Sequence, residues 1–157
     1  MTSPITLQPI GVLHTPWKTI GDCPRNGRQP DPAPVCHAQI FSDFLPGLLH
    51  LDAFSHLILL YWLGGSRGPK LRLTPPFDTQ ERGVFATRSP ARPNPIGLSV
   101  VAFDGFTEAD TLRVHYLDCV DGTPLLDIKP YLPTTDVEPD ARMGWLAEYA
   151  TRRPSQG

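Results

Sequence analysis

The sequence predicts a mainly β protein, built as an antiparallel barrel or sandwich. Nineteen prolines and 13 glycines among 157 residues disfavour a helical bundle and suit a chain with many fixed turns. Apolar stretches are separated by turn residues, and helical patterns are too few to supply the crossovers of a parallel sheet. A hydrophobic content of 40% excludes a disordered chain. The length suits a single domain, residues 1–157.

The first half of the chain predicts two strands, a long loop and a short helix. Residues 5–13 alternate apolar and polar side chains as a strand does. Residues 14–35 form a Pro- and Gly-rich loop of a length usually associated with function. We expect a short helix within residues 41–51, broken near Pro46, and a central strand in the apolar run 56–63.

The second half predicts three strands and a C-terminal helix. Residues 98–106 and 112–117 have the apolar pattern of strands, and a polar turn at 108–110 joins them. Residues 125–129 predict another strand, and residues 141–149 are the best candidate for a helix. No internal repeat or interdomain linker interrupts this order, which agrees with a single domain.

The segment from Gly83 to Ser99 is the most informative part of the sequence. It holds Arg88, Arg92 and Asn94 among three prolines. Because proline fixes φ and removes a backbone donor, the loop is stiff before any ligand arrives, and its arginines are held at little further cost. Planar arginines suit carboxylates, phosphates and base edges. The alternative is a rigid connector whose arginines are simply solvated.

A second polar segment interrupts an apolar pattern between residues 118 and 131. Its charged residues are Asp118, Asp121, Asp127 and Lys129, and Gly122 is its turn glycine. Asp-Gly is by itself a strong signal for a plain hairpin turn, and that alternative stays open on the residues alone. Two such segments in one chain predict the walls of one pocket.

Together these motifs resemble the TrmO family, also called the YaeB or TsaA-like family of S-adenosylmethionine-dependent tRNA methyltransferases. The resemblance extends along nearly the whole chain, in the family's order, through Pro9-Ile10-Gly11, His14-Thr15-Pro16, Pro24-Arg25, Phe54-Ser55-His56, the Arg88 loop and Asp127-Ile128-Lys129-Pro130-Tyr131. It implies a single antiparallel β-barrel that binds S-adenosylmethionine outside the Rossmann class. It also implies a homodimer with the cofactor near the subunit interface. The sequence agrees in having no G-x-G-x-x-G motif.

The resemblance also implies a set of cofactor-binding residues. Transferred position by position, they are Asn26, Gly27, Arg28, Gly65, Ser66, Arg88, Leu98, Asp121, Gly122, Thr123 and Pro124. Each residue type suits a part of the cofactor, since arginine clamps a carboxylate or ring edge, leucine packs on adenine, glycine allows close backbone approach, and aspartate accepts from ribose or ammonium groups. Two departures from the family touch this pocket. The segment Leu63-Gly64-Gly65-Ser66 stands where relatives have a more polar or His-containing stretch, and Asn26 follows Pro24-Arg25 where glutamine is common.

In the family's reaction a methyl group goes to N6 of a threonylcarbamoyladenosine beside the tRNA anticodon. That nitrogen is a poor nucleophile, so alignment and help with its proton are needed. Asp118 or Asp127 is a candidate base, and Lys129 a candidate for stabilising an anion, although Asp127 equally suits a structural pair with Lys129. Arg92 and Asn94 are candidates for substrate contact. Bacterial members usually carry an extra C-terminal domain that contacts tRNA, and the resemblance is to a short form without that domain.

Charge and composition limit the alternatives. The net charge of −2, from 14 basic and 16 acidic residues, supplies no global attraction for nucleic acid, so tRNA binding requires a local patch among the arginines of the central third. Three cysteines and five scattered histidines indicate neither a disulfide framework nor a metal site. We expect a cytoplasmic protein without a membrane segment. The alternatives are a dimeric S-adenosylmethionine-binding module, a methyltransferase for another RNA or a small molecule, and a protein-interaction domain.

Overall fold

Eight strands form in the computed structural model, which describes residues 2–64 and 68–150. In chain order they are β1 Gly11–His14, β2 Cys36–Ile40, β3 His56–Trp62, β4 Arg72–Leu73, β5 Arg82–Gly83, β6 Ile96–Glu108, β7 Thr111–His115 and β8 Thr123–Pro130. Six of them close into a barrel in the order β1-β2-β7-β6-β3-β8, and each pairs antiparallel with both neighbours. β4 and β5 form a separate two-stranded sheet. The prediction of a mainly β, antiparallel barrel is confirmed.

The barrel interior is filled by alternate side chains of each strand. On β3, Leu57, Leu59 and Tyr61 are buried, and the residues between them are only half-buried. β2 repeats the pattern with buried Cys36, Ala38 and Ile40. This period of two is what a pleated strand with one face on a core requires. The inward rows form one continuous apolar core.

The helices are short. The 3₁₀ turns are Ile20–Asp22, Ser42–Leu48, Leu51–Ala53, Val84–Ala86 and Gly144–Leu146, and the α-helical turns are α1 Pro133–Asp136 and α2 Ala147–Ala150. The helix expected within 41–51 is therefore a 3₁₀ turn containing Pro46, a residue that disrupts α-helical bonding. The helix expected at 141–149 begins only at Gly144, whose φ is +56°, and consists of the 3₁₀ turn Gly144–Leu146 followed by α2. No helix in the described ranges is both long and apolar enough to cross a bilayer.

Two strand predictions differ from the structure. The strand predicted at 5–13 is wrong over most of its length, because β1 begins only at Gly11 and Ile5 is 88% exposed. β2 and β8 pair with residues 11–14, and the backbone of Ile10 still bonds to Leu125 and Phe41, so only the alternating residues 5–9 have no strand to join. β2, in turn, was not predicted and lies between the expected loop and the expected helix. The strands expected at 56–63, 98–106, 112–117 and 125–129 are present.

Strand register brings three loops to one end of the barrel, here called the site end. His14 at the end of β1 pairs with His37 of β2, and Leu13 pairs with Thr123 at the start of β8. Trp62 at the end of β3 pairs with Ile96 at the start of β6. The first loop (15–35), the second loop (63–95) and the third loop (116–122) therefore leave the barrel at the same end.

Candidate functional site

Most of the predicted site residues lie at the site end. The first loop carries Asn26, Gly27 and Arg28; the second carries Arg88, Arg92 and Asn94; the third carries Asp118, Asp121 and Gly122. Leu98 belongs to the first residues of β6, and Thr123 and Pro124 begin β8. Gly65 and Ser66, also predicted for the cofactor, lie outside the described residues. One end of the barrel thus collects residues that are scattered along the sequence.

The first and third loops touch through backbone at Gly27. A Cβ built there would overlap the carbonyl oxygen of Tyr116 and lie 2.8 Å from its Cα. Only glycine permits this approach, because the obstructing atoms are backbone and cannot rotate away. Next to it, the Arg28 guanidinium lies 3.7 Å from the Tyr116 ring centroid, within range of a cation–π contact. Asn26 Oδ1 accepts the Arg28 N–H at 2.9 Å, which fixes the turn.

Asp121 joins the same two loops through its side chain. Its Oδ2 accepts from Lys18 Nζ at 2.6 Å and its Oδ1 from the Thr15 N–H at 3.0 Å. These bonds, led by the Lys18 contact, lower the pKa of Asp121. Gly122 follows at φ +88°, a conformation that favours glycine, and its N–H donates to Leu13 O at 2.8 Å. The Asp-Gly turn is therefore real, and it ties the third loop to β1.

A buried hydroxyl leads from the barrel interior to Asp118. Tyr61 is 1% exposed, and its hydroxyl donates to Asp118 Oδ1 at 2.9 Å while it shares a 2.7 Å hydrogen bond with Ser99 Oγ. Burial raises the pKa of Asp118, although the Tyr61 bond and the charge of Arg88 act in the opposite direction. Gly97 makes room for the Tyr61 ring, since a Cβ there would overlap it. Asp118 is thus a half-buried carboxyl at the mouth of the barrel.

The second loop is fixed by Arg92 from within. Its Nη1 donates to Thr87 O at 2.9 Å and to Ser89 O at 3.0 Å, on either side of Arg88. Arg92 was predicted to contact substrate, and in the structure its Nη1 stabilises the backbone of the loop. Arg88 itself is exposed. Its charge reaches Asp118 and favours the ionised carboxylate.

An apolar cavity lies on the outer wall of the barrel beside these loops. Its volume is about 630 Å³, and Trp62, Asn94, Ile96, Pro124 and Leu126 line it together with residues of the N-terminal segment. That volume is within the range of small-molecule sites. Leu98, 50% exposed, continues the same wall along β6. Two of the predicted site residues, Asn94 and Pro124, therefore contribute to one apolar cavity.

Asp127 and Lys129 lie apart from Asp118. They point outward from β8 and pair with each other, Lys129 Nζ being 2.9 Å from Asp127 Oδ2. Asp127 is opposite Leu60 of β3, and Leu60 is opposite Leu98 of β6. Two strand spacings thus separate Asp127 from Leu98, about 10 Å along the outer wall. The candidate catalytic residues fall into two groups, one at the barrel mouth and one on its side.

Several residues that hold the site together were not apparent from the sequence. Tyr61 and Ser99 were included in apolar strands, and Tyr116 was assigned to the end of a strand, with no role in the site. A tyrosine within a buried run is a usable signal, because its hydroxyl needs a partner. The positive φ of Tyr116, +82°, has no comparable signal in the sequence. In the described ranges no three His, Cys, Asp or Glu side chains group as metal ligands.

Comparisons with known proteins identify the family of this chain. A family model described as "tRNA-methyltransferase O N-terminal domain" matches residues 12–137. An Archaeoglobus fulgidus protein named "S-adenosyl-L-methionine-binding protein" is 48% identical over 130 residues, which are 83% of this chain and 91% of that protein. An Escherichia coli protein named "tRNA (adenine(37)-N6)-methyltransferase" is 37% identical over 168 residues, covering 98% of this chain and 67% of the relative.

A solved structure gives the same result for the fold. The structure titled "Crystal structure of TrmO from Pseudomonas aeruginosa" superimposes with a TM-score of 0.74 at 35% identity and covers 90% of this chain. The chain spans 62% of that solved protein. The resemblance inferred from the motifs is confirmed, and the chain belongs to the tRNA-methyltransferase O N-terminal domain family.

Proposed function

We propose that this protein binds S-adenosylmethionine at the site end and transfers its methyl group to adenosine beside the tRNA anticodon, with N6 of threonylcarbamoyladenosine as the acceptor. The observation that carries the proposal is the convergence of three loops at one barrel end. Among the described residues, Arg28 and Arg88 have no carboxylate within ion-pair distance. Guanidinium groups in such a position are available for an anionic ligand.

The residues at this end fit the chemical parts of the cofactor. Arg28 and Arg88 suit its carboxylate, the glycines of the loops suit close backbone approach, and the wall formed by Leu98 and Pro124 suits the adenine ring. Asp121 already accepts from Lys18 and Thr15, so we assign it chiefly to holding the third loop in position. When bound, S-adenosylmethionine supplies an electrophilic methyl group on a sulfonium centre. The chain's own residues must then orient the acceptor and remove its proton.

We propose Asp118 as the proton acceptor. A carboxylate whose pKa is raised by burial is a stronger base than an exposed one, and burial raises the pKa of Asp118. Asp118 is also close enough to Arg88, the proposed cofactor-binding arginine, to feel its charge. Asp127, by contrast, is paired with Lys129 on the outer wall. Asp118→Asn, which keeps the shape but removes the base, is expected to reduce single-turnover methylation at least about a hundredfold, the usual size of general base catalysis. If the variant binds the cofactor with an affinity within about twofold of native, the loss of rate belongs to the chemical step and not to binding. Full activity in D118N would refute this assignment.

The proposal also includes a dimer of one-domain protomers, residues 1–157. The outer wall of β6, β3 and β8 exposes Ile96 (43%) and Leu98 (50%), and the N-terminal Ile5 and Leu7 extend it. Exposed apolar patches of this kind mark interaction surfaces. Ile96→Arg is expected to yield monomers in light scattering after gel filtration. Val137→Arg, at a position 49% exposed elsewhere, is the matched control. A monomeric native protein would refute the dimer.

The first experiment is calorimetric titration with S-adenosylmethionine, followed by methylation of tRNA. Saturable binding, weakened in Arg88→Ala, supports the cofactor assignment, and no binding by the native protein refutes it. Methyl transfer is then measured on tRNA with and without threonylcarbamoyladenosine, by mass spectrometry of the digested nucleosides. Product only on the modified tRNA supports the acceptor; product on neither refutes it. A tRNA substrate implies action in the cytoplasm.

A second candidate is a binding module without turnover. It is favoured by one comparison: the relative named as an S-adenosyl-L-methionine-binding protein is matched over 91% of its length, and the named methyltransferase over 67%. Cofactor binding without methylation of any tRNA species would select this function.

A further inference from the structure

A cluster of aromatic and arginine side chains fastens residues 144–150, here called the C-terminal latch, to the second loop. The Trp145 ring stacks on Phe77, with centroids 5.9 Å apart and planes 16° from parallel. The Arg82 guanidinium lies 4.7 Å from the centre of the indole. Such contacts combine apolar burial with a cation–π attraction, and they join the end of the chain to its middle.

A second set of bonds anchors the latch through Asp78. Tyr149 donates its hydroxyl proton to Asp78 Oδ1 at 3.0 Å, and Arg82 Nε donates to Asp78 Oδ2 at 2.9 Å. The side chains of Arg82 and Asp78 are 20% and 3% exposed, so this ion pair is well shielded from water. A shielded and hydrogen-bonded pair has a more definite geometry than a solvated one.

The latch contacts the second loop where its backbone leads to Arg88. Trp145 Nε1 donates to Ala86 O at 2.8 Å, two residues before Arg88. Arg92 holds the carbonyls on either side of Arg88, those of Thr87 and Ser89. These hydrogen bonds hold the backbone on both sides of Arg88. The regular structure of residues 71–87 is limited to two-residue strands and one 3₁₀ turn. The order of this segment therefore depends strongly on tertiary contacts such as these hydrogen bonds.

We infer that Trp145 is a positioning residue for Arg88: its N–H bond to Ala86 and its stack on Phe77 hold the loop backbone from which Arg88 reaches the cofactor. The inference rests on the proposed role of Arg88 in cofactor binding. It assigns a function to the C-terminal latch that neither the barrel nor the three loops provide. An arginine held in place before binding loses less conformational freedom on binding, which raises affinity.

The test is a double-mutant cycle between Trp145 and Arg88, read as S-adenosylmethionine affinity by calorimetry. Trp145→Phe removes the N–H and keeps a ring, and we expect the dissociation constant to rise roughly three- to tenfold, as for one lost hydrogen bond. Trp145→Ala should weaken binding further. In an Arg88→Ala background the same substitutions should change affinity less than about twofold, because the group being positioned is gone.

Tyr131→Phe is the matched aromatic control at the opposite end of the barrel. Its ring contacts His56 across the end of β8, and the substitution should leave affinity unchanged. An equal loss of affinity on Trp145→Ala in the presence and absence of Arg88 would overturn the inference, because a general loss of structure acts equally on both.

Amide hydrogen exchange without ligand separates this inference from the proposed function. In the native protein the amides of Val84, Thr87 and Ser89 have hydrogen-bond acceptors. Trp145→Ala should accelerate exchange in peptides covering 84–92 and leave the β3 and β6 peptides protected. If the native protein binds no S-adenosylmethionine, the proposed function fails, and this exchange pattern still supports the latch. Unchanged exchange at 84–92 would overturn the latch whatever the affinity.

Discussion

Replacing Gly27 with alanine should impair both folding stability and cofactor binding, and the structure sets the size of the effect. The added Cβ would lie within 3.0 Å of the O, C and Cα atoms of Tyr116, a range that real Cβ contacts essentially never reach. Since these atoms are backbone, the first and third loops must separate. Overpacking of this kind costs about 1–3 kcal/mol. For a domain of this length that corresponds to a melting temperature lower by about 2–12 °C.

The same displacement removes the Arg28 guanidinium from the Tyr116 ring, 3.7 Å away in the native loop. A functional site tolerates displacements of only about 0.5 Å, so we expect S-adenosylmethionine affinity to fall at least about tenfold. Differential scanning calorimetry and isothermal titration measure the two effects. Gly21→Ala is the control in the same loop, because its nearest neighbour, Thr19 Oγ1, would be 3.9 Å away. A Gly27→Ala protein with native melting temperature and native affinity would refute the close approach.

Three further predictions concern the network around Asp118 and the second loop. Tyr61→Phe removes the hydroxyl that donates to Asp118 and accepts from Ser99, and urea titration should show a loss of about 1–3 kcal/mol in the free energy of unfolding; a variant as stable as the native protein would contradict it. Because burial raises the pKa of Asp118 above the ordinary value of 3.8, the folded state binds its proton more strongly than the unfolded state. The stability of the native protein relative to Asp118→Asn should therefore be greatest below pH 3.8 and decline as pH rises through the raised pKa. Chemical unfolding at a series of pH values measures this difference in the free energy of unfolding, and a difference that does not change with pH would exclude the shift. Arg92→Ala should weaken cofactor binding in calorimetry, since its bonds brace the Arg88 loop; a raised KM for tRNA with unchanged cofactor affinity would instead favour direct substrate contact.

The strands that the sequence predicted well are those with strong inward residues. β3 places leucines and a tyrosine inside the barrel, so its hydrophobic pattern is unmistakable. β2 has the same alternation, but two of its inward residues are Cys36 and Ala38, whose side chains are small and give a weak signal. Residues 5–9 show the reverse case, a strand-like pattern without a partner. Whether a partner exists is a property of the whole barrel, and no local pattern contains it.

The candidate site shows the same division. The arginine loop and the Asp-Gly turn were recognisable because proline, glycine and charge interrupt an apolar pattern. The reason for Gly27 was not, because the atoms that demand a glycine belong to Tyr116, far along the chain. The sequence likewise offered Arg92 as a substrate contact, and its bonds to Thr87 and Ser89 become visible only once the loop has folded. Residue type indicates chemistry, and contact partners determine which role that chemistry takes.

Closure of the barrel divides the molecule into two sets of residues with different evolutionary freedom. In a closed antiparallel barrel the strand N–H and C=O groups are largely engaged by neighbouring strands, so a ligand has few of them to bind. Recognition must come from side chains and from loop backbone at the site end. Substitutions of the inward-facing residues of the six strands should therefore change how readily the chain folds, while substitutions in the three loops and on the outer wall near Leu98 and Pro124 change what it binds. A new acceptor could be acquired by exchanging loop sequence on an unaltered set of strands.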